Sequence, residues 1–576
     1  MSSQLTARIQ IANGTESFRT LRESGFYYVD KSLFIREFLE AGTDAVTLLT
    51  RPRRFGKTLL LSMVNEFFNI QRKSKNLFDG LLIAQEQDLC SSWMNSYPVL
   101  NITLKDVHGE TYTSTLNKFK ILIEDLCDTH RYLLTSQKVS PLLQRRLNTL
   151  YQGAGTAEQV ENSLRTLSSA LAEEYAKPVI VLIDEYDVPL ENSWRHGFFD
   201  TMCSFLRSLF SQALKTNESL KFALLTGCLR IAKESIFTGV NNFTCYGINH
   251  PRFSEILGFT AEEVDALLKK VNGEEKRSLL KEWYDGYVFG NNTEMYCPWD
   301  ILQYIKRLQN DPEAVPEAFW MNTSSNSIVS EFLHRSGFNT KRHWEKLLNG
   351  GSVSATIQDA CTYDSFFLTE DHLWTVLYST GYLTKAKSRE KGRKISKNCQ
   401  LKTKLVLPNT EIREVVTYLT DLWFSESIYE LDRSRFFSAL WAGDSDVFTE
   451  QITEFLQKSV SYYDSHFDFC HGFLSGVFFK TPYDIISNYE RGEGRPDIVV
   501  VDGNHSRVAI LEVKHTKNQK TFSSLANTAL RQIQKKKYDA PYREANFTSI
   551  LHWGIAFYKK SCLTCCSLEK PSVQAR

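Results

Sequence analysis

No apolar run in this chain approaches the roughly 20 residues that a membrane-spanning helix requires, so the sequence does not read as a helical membrane protein. Charge of one sign is also lacking. The 68 Lys and Arg balance 67 Asp and Glu to a net +1, so no global field announces a polyanionic partner, and nucleic acid would have to be met by local patches. The twelve cysteines form no framework. Most lie singly in apolar segments, as Cys203, Cys228 and Cys361 do, which reads as small core residues in a reducing compartment. Only Cys562, Cys565 and Cys566 cluster. A zinc site needs about four ligands and the nearest histidine is His552, so no metal is expected there. Internal repeats and low-complexity linkers are missing too. The opening MSSQLTARIQIANGTESF shows neither a basic stretch leading into an apolar one nor a small-residue cleavage site. A cytoplasmic protein with no membrane partner is expected.

What is present is a chain of 576 residues, 42% apolar and 23% charged. That is too long for one ordinary core and predicts about two to four globular domains. In the first part, short apolar runs alternate with helical patterns. AVTLLT (45–50), PVLNITL (98–104), PVIVLIDEYD, KFALLTG and TCYGI (244–248) are the strand candidates. Helices are expected over TLLLSMVNEFFNIQ, through 111–176 and near 198–216. Such alternation predicts a mainly parallel sheet covered on both faces. From about 255 the texture becomes helical, with GFTAEEVDALL and PWDILQYIKRL. Over 373–407, LWTVLYSTGYLT and LKTKLVLP read as a strand pair joined by the basic stretch KAKSREKGRKISKN. Helices return from 409. At the end, GRPDIVVVDGNHSRVAILEVKHT reads as two strands around a DGN turn, followed by a helix over 525–537 and a final strand near HWGIAFY. The resulting fold class is α/β. An ATPase-type domain over 1–255 precedes a helical, winged-helix-like middle over 256–440 and a restriction-endonuclease-like α/β domain over 441–576.

Chemistry enters at RPRRFGKT (51–58), between a strand and a helix. Such a loop binds phosphate because successive backbone N–H groups and a helix N-terminus face the anion. Gly56 supplies positive φ, Lys57 would reach the β- and γ-phosphates, and Thr58 would ligate Mg²⁺. Arg51 stands where the pattern has its first glycine, and Arg53 and Arg54 add charge beside the phosphates. Read alone, the stretch is equally a basic turn. The apolar strand VIVLIDEYD decides for the loop, because a buried acid at a strand end needs a partner. Asp184 would hold the metal through water and Glu185 would orient the attacking water. Thr226, at the end of KFALLTG, is a candidate sensor of the γ-phosphate, and Arg230 a candidate for neutralising its charge. A capping threonine and a surface arginine are equally open readings.

The second constellation is Asp497 on one strand with Glu512-Val513-Lys514 on the next. Side chains alternate along a strand, so Glu512 and Lys514 share a face, and a hairpin brings Asp497 beside Glu512. Two carboxylates and a lysine make a site for Mg²⁺ (or Mn²⁺) and a nucleophilic water, the chemistry of phosphodiester hydrolysis. Glu490 is a candidate additional ligand and Gln532 a candidate for orienting water or phosphate. Lys535, Lys536 and Lys537 are candidates for contacting a nucleic-acid backbone. Their plainer readings are a loop acid, a helix surface and a solvated face.

Together these residues resemble a family, abundant in bacteria, that pairs a divergent AAA-like ATPase domain with a C-terminal PD-(D/E)XK nuclease-superfamily domain. The resemblance spans nearly the whole chain through FYYVDKS, RPRRFGKT, LIDEYDVPL, LLTGCLRI, IFTGVNNF, WYDGYVFG, YCPWDIL, LYSTGYL, LPNTEIR, GRPDIVV, ILEVKH and ALRQIQKKKY. It implies that an arginine-rich loop start is usual. Residue by residue it carries the nucleotide site onto Lys57 and Thr58, the metal and water-activating acids onto Asp184 and Glu185, and the nuclease signature onto Asp497, Glu512 and Lys514. Expected ligands are ATP, Mg²⁺ and nucleic acid, DNA before RNA. A homo-oligomer is compatible with the resemblance, since related ATPases complete their site with a neighbour's arginine. The stretch KAKSREKGRKISKN holds seven basic residues and one acid. Lys391, Arg393 and Lys394 read either as a wing against DNA phosphates or, preferably, as a solvated hairpin. A nucleotide-dependent switch whose nuclease-like domain does not cut is the alternative function.

Overall fold

The computed structural model describes residues 9–12, 14–40, 46–215, 217–230, 236–237, 243–291, 293–321, 329, 343–344, 346–358, 369–387, 402–429, 432–459, 473–474, 476–478, 481–487, 496–516, 518–558 and 561–569. The chain divides into two compact units, 1–320 with 352–413 and 321–351 with 414–576.

The first unit is built on strands β1 (Val46–Thr50), β2 (Val99–Thr103), β3 (Val179–Asp184), β4 (Leu220–Gly227) and β5 (Phe243–Tyr246). They form one sheet in the order β2-β3-β4-β1-β5, with every pairing parallel. Every residue of β1 and β3 is buried. Strands covered on both faces are made of continuous apolar runs, which VTLLT and VIVLI supply. The helix Lys57–Phe68 follows β1 and sinks Leu60, Met63, Val64 and Phe67 against Leu49, Leu182 and Leu224 of the sheet. Because β4 is inserted between β1 and β3, the end of β4 lies between the phosphate loop and the acid-bearing strand end. In register, Thr50 stands beside Gly227 and Ile183 beside Leu225.

Beyond this sheet the first unit adds β6 (Tyr287–Phe289) and β7 (Thr293–Met295) as a hairpin, and β8 (Val353–Ala355), β9 (Thr384–Lys385) and β10 (Thr403–Val406) as a small antiparallel sheet. The predicted strand LWTVLYST is corrected here: Glu370–Thr380 is a helix, capped by Thr369 and closed by Gly381 in the left-handed region. Only Thr384–Lys385 of that segment is extended, and it does pair with β10. Lys391, Arg393 and Lys394 lie outside the described residues.

In the second unit β11 (Asp484–Ser487), β12 (Ile498–Asp502), β13 (Arg507–His515), β14 (Ser549–Tyr558) and β15 (Ser561–Glu569) form a sheet in sequence order. All pairs are antiparallel except β13–β14. The helix Gln519–Lys536 makes the crossover that a parallel pair requires. The two sheet faces separate by alternation. Ala509, Leu511 and Val513 point into one core, while Val508 and Ile510 share the other with Val499 and with Ile533 of the crossover helix. Sequence reading misses β11 and β15. The latter is the cysteine-bearing segment, whose Cys565 and Cys566 stand opposite Gly554 and Trp553. No metal-ligating cluster occurs among the described residues.

Candidate functional site

The phosphate loop ends where Gly56, at φ 87°, caps the helix Lys57–Phe68. Positive φ lets the chain turn so that successive N–H groups face outward, and glycine adopts it without penalty. Arg54 takes the same region at φ 69°. The Lys57 ammonium folds back onto its own loop, donating to the carbonyls of Arg51 at 3.1 Å and Pro52 at 2.9 Å. Thr58 Oγ1 donates to Asp184 Oδ2 at 2.6 Å, and the Thr226 hydroxyl donates to Asp184 Oδ1. Asp184 is thus a buried carboxylate held by two hydroxyls rather than by a cation. That environment fits a metal ion joined to Thr58 and Asp184. Glu185 follows in the left-handed region at φ 51°. Its pKa is raised by burial and then by the Asp184 charge.

The three loop arginines are tied down differently. Arg51 is fully buried and gives its guanidinium to the carbonyls of Thr50, Tyr246 and Phe253. Burial pulls its pKa down to about 10. Its side chain is a tie across the ends of β1 and β5, not a lining of the cradle. Arg53 pairs with Glu191 at 3.0 Å. Arg54 donates to Phe319 O at 2.9 Å and lies over the Trp299 ring. Arg230 lines a polar pocket with Thr50, His250, Gln358 and Tyr378, and none of Lys57, Thr58, Asp184 and Thr226 shares that lining.

In the second unit the pairing Ile498↔Leu511 places Asp497 beside Glu512. Asp497 Oδ2 accepts the Val513 N–H at 2.7 Å. Glu512 and Lys514 continue the alternation of Val508 and Ile510, so they fall on the face covered by the helix Gln519–Lys536. That helix presents Gln532. Its amide oxygen accepts from Lys514 Nζ at 2.7 Å and its amide nitrogen donates to Glu512 Oε1. Lys514 Nζ also lies 3.6 Å from Glu512 Oε1. Glu512 Oε2 is buried without a hydrogen-bond partner. Burial first, and the Asp497 charge second, push the Glu512 carboxyl up to about 7. A buried carboxylate oxygen with no donor, next to a second carboxylate, is chemistry suited to a divalent cation.

Asp497, Glu512, Lys514 and Gln532 are therefore brought together. Glu490 lies outside the described residues. Lys535, Lys536 and Lys537 close the crossover helix, with all three exposed. Two residues escape the sequence reading. Asp187, inside the quoted LIDEYD run, is buried and accepts the N–H groups of Cys228 and Leu229 at 2.8 and 2.9 Å, tying the β3 turn to the β4 turn. Tyr538 lies beside Gln532, and its pKa is raised by burial. A third acid in an acidic run and a tyrosine after a lysine run were the available signals.

Comparison with known proteins agrees with this two-site layout. Residues 12–237 match a family described as Predicted AAA-ATPase, and residues 468–566 match the PD-(D/E)XK nuclease superfamily. An uncharacterized protein in the vnfD 5'region of Azotobacter chroococcum mcd 1 is 25% identical over 568 residues, covering 96% of this chain and 98% of that protein. Among solved structures, the Walker-type ATPase PABY2304 of Pyrococcus abyssi aligns at a TM-score of 0.37 and 13% identity, over 69% of this chain and 97% of its own.

Proposed function

From a chain that pairs an N-terminal AAA-ATPase-like domain with a C-terminal PD-(D/E)XK nuclease-superfamily domain, we propose an ATP-hydrolysing protein whose nucleotide state controls metal-dependent cleavage of nucleic-acid phosphodiesters, DNA before RNA. Domain limits near 255 and 440 accompany this reading. In the first site, Lys57 exchanges the Arg51 and Pro52 carbonyls for phosphate oxygens. Thr58 and Asp184 hold Mg²⁺, Glu185 orients water, and Thr226, already bonded to Asp184, reports the state of that carboxylate.

In the second site Asp497 and Glu512 would hold Mg²⁺ or Mn²⁺, which when bound supplies positive charge that acidifies water and neutralises the scissile phosphate. Lys514 is placed to stabilise charge developing on the phosphate. Gln532 fixes both Lys514 and Glu512 through one amide group. The buried, partnerless Glu512 Oε2 is the observation that carries the cutting half of the proposal. A carboxylate kept so costs stability unless a cation repays it.

The test incubates the purified protein with labelled single- and double-stranded DNA and RNA, Mg²⁺ or Mn²⁺, with and without ATP, beside Lys57→Ala and Lys514→Ala. Cleavage that is lost in Lys514→Ala, and that responds to ATP only when Lys57 is present, is the expected result. ATP binding through Lys57 with no cleavage of any substrate would instead favour a nucleotide switch with a non-cutting platform.

A further inference from the structure

Beside the phosphate loop lies an apolar slot that neither the loop chemistry nor the metal chemistry uses. It is walled by Tyr27 and Val29, by Leu59 of the loop helix, by Ile256 and Phe259, and by Leu302. Gly56 also faces it, and a side-chain carbon placed on Gly56 would meet no atom within 4 Å. The slot therefore opens at the residue where the phosphates of a bound ligand would end. Its two polar side chains that might read a ligand are already engaged. The Lys31 ammonium donates to both oxygens of Glu263 at 2.6 and 2.7 Å and to Glu255 O at 2.7 Å, and the Tyr28 hydroxyl donates to Met63 Sδ at 3.2 Å. No Asp, Glu, Asn or Gln lines it.

We propose that this slot receives the purine base of the nucleotide whose phosphates lie on Gly56-Lys57-Thr58, and that it selects adenine over guanine; this rests on the reading of 51–58 as a working phosphate loop. Aromatic and aliphatic walls bury a flat ring by stacking and by removing apolar surface from water. Burial there strips hydrogen bonds from the base edge without replacing them by side chains. Guanine carries O6, N1–H and the 2-amino group on that edge, and adenine carries the 6-amino group and N1, so guanine loses more. A slot without carboxylate or amide side chains thus discriminates by what it fails to offer.

The experiment measures calorimetric binding of Mg²⁺-ATP, Mg²⁺-GTP and Mg²⁺-tripolyphosphate to the full chain and to four variants. Val29→Trp and Ile256→Trp fill the slot from different segments, and Leu302→Ala enlarges it while preserving the fold should a filled variant fail to melt cooperatively. Lys57→Ala tests the loop. ATP is expected to bind the unaltered protein at least about tenfold more tightly than tripolyphosphate, the scale of one stacked base, and more tightly than GTP. The slot variants should weaken ATP towards tripolyphosphate while leaving tripolyphosphate unchanged. Equal affinity of the unaltered protein for ATP and tripolyphosphate, or equal weakening of both ligands by the slot variants, would overturn the base assignment while leaving the loop intact. Binding of both ligands undiminished in Lys57→Ala would instead overturn the loop reading, and this assignment with it.

Discussion

Glu512 is asked to be two things: a neutral group that tolerates burial, and an anion that can hold a metal. Its carboxyl, raised to about 7 by burial and by Asp497, resolves the conflict through pH. Below the ordinary carboxylate range the group is protonated folded or unfolded. As pH rises towards 7 the unfolded chain ionises first, so the metal-free protein loses the stability this group gives, and the loss is complete above about 7. Metal binding has the opposite slope, because the ligand must be ionised. Mn²⁺ affinity at this site should therefore fall by about tenfold per pH unit below 7. Glu512→Gln should flatten that dependence in a calorimetric titration. At the other site Thr226→Val removes one of two hydroxyls from buried Asp184. A hydrogen bond to a buried charge is worth about 1.5–3 kcal/mol, so the variant should melt earlier in the absence of nucleotide, with less of the deficit remaining in saturating Mg²⁺-ATP.

Among the elements, the crossover helix Gln519–Lys536 does the positioning in the second site, and its fit to the sheet depends on Gly554. A side-chain carbon there would lie 2.1 Å from Ala526 O and 2.7 Å from Leu530 N, atoms of the helix backbone that cannot turn aside. Gly554→Ala should displace the helix and withdraw Gln532 from Glu512 and Lys514. The expectation is a lower melting temperature, by about 1–3 kcal/mol of overpacking, together with loss of metal-dependent cleavage. Retained cleavage at full rate would show that Gln532 is not held by this contact.

Elements also show which parts of the molecule were legible in the sequence. RPRRFGKT and the apolar strand ending in Asp184 could be read because their chemistry is contiguous. Asp497 opposite Glu512 followed from strand alternation across a short turn. The bond from Thr226 to Asp184 could not be placed so, because it depends on β4 lying between β1 and β3, an order the chain order does not state. Glu370–Thr380 misleads for a different reason. Leu373 through Tyr378 are buried without interruption, and a helix apolar all round has no 3.6-residue period to betray it. Its Trp, Val, Tyr and Thr residues then favour a strand reading. In SCLTCCSLE, weighing the cysteines as ligands hides an ordinary edge strand.

For the molecule as a whole, the chain leaves its first unit twice, after Trp320 and after Arg413. Within that unit both exits are fastened together, since the Trp320 N–H donates to Glu411 Oε1 at 3.0 Å and its indole N–H to Asp300 Oδ2 at 3.2 Å. Burial, with Asp300 beside it, holds Glu411 up to about 11, so this pair keeps a proton. The phosphate loop reaches the same place through Arg54, bonded to Phe319 O. Glu411→Ala should preserve ATP binding, cost about 2 kcal/mol for the donor left unmet, and abolish the effect of ATP on cleavage. Glu411→Gln should preserve the effect. A nuclease rate that still follows ATP in Glu411→Ala would exclude this route.

The folded-back Lys57 has a consequence of its own for what the empty loop attracts in a solution crowded with small anions. Its ammonium is already satisfied by two carbonyls of its own loop, so an arriving ion must compete with oxygens that cost nothing to recruit. Orthophosphate brings few oxygens to that contest. A triphosphate also gains the helix end and the neighbouring hydroxyls, so it can displace both carbonyls and recover the loss. The self-bonded lysine acts as a threshold on anion length, keeping the loop quiet until a ligand arrives that is long enough to be its fuel.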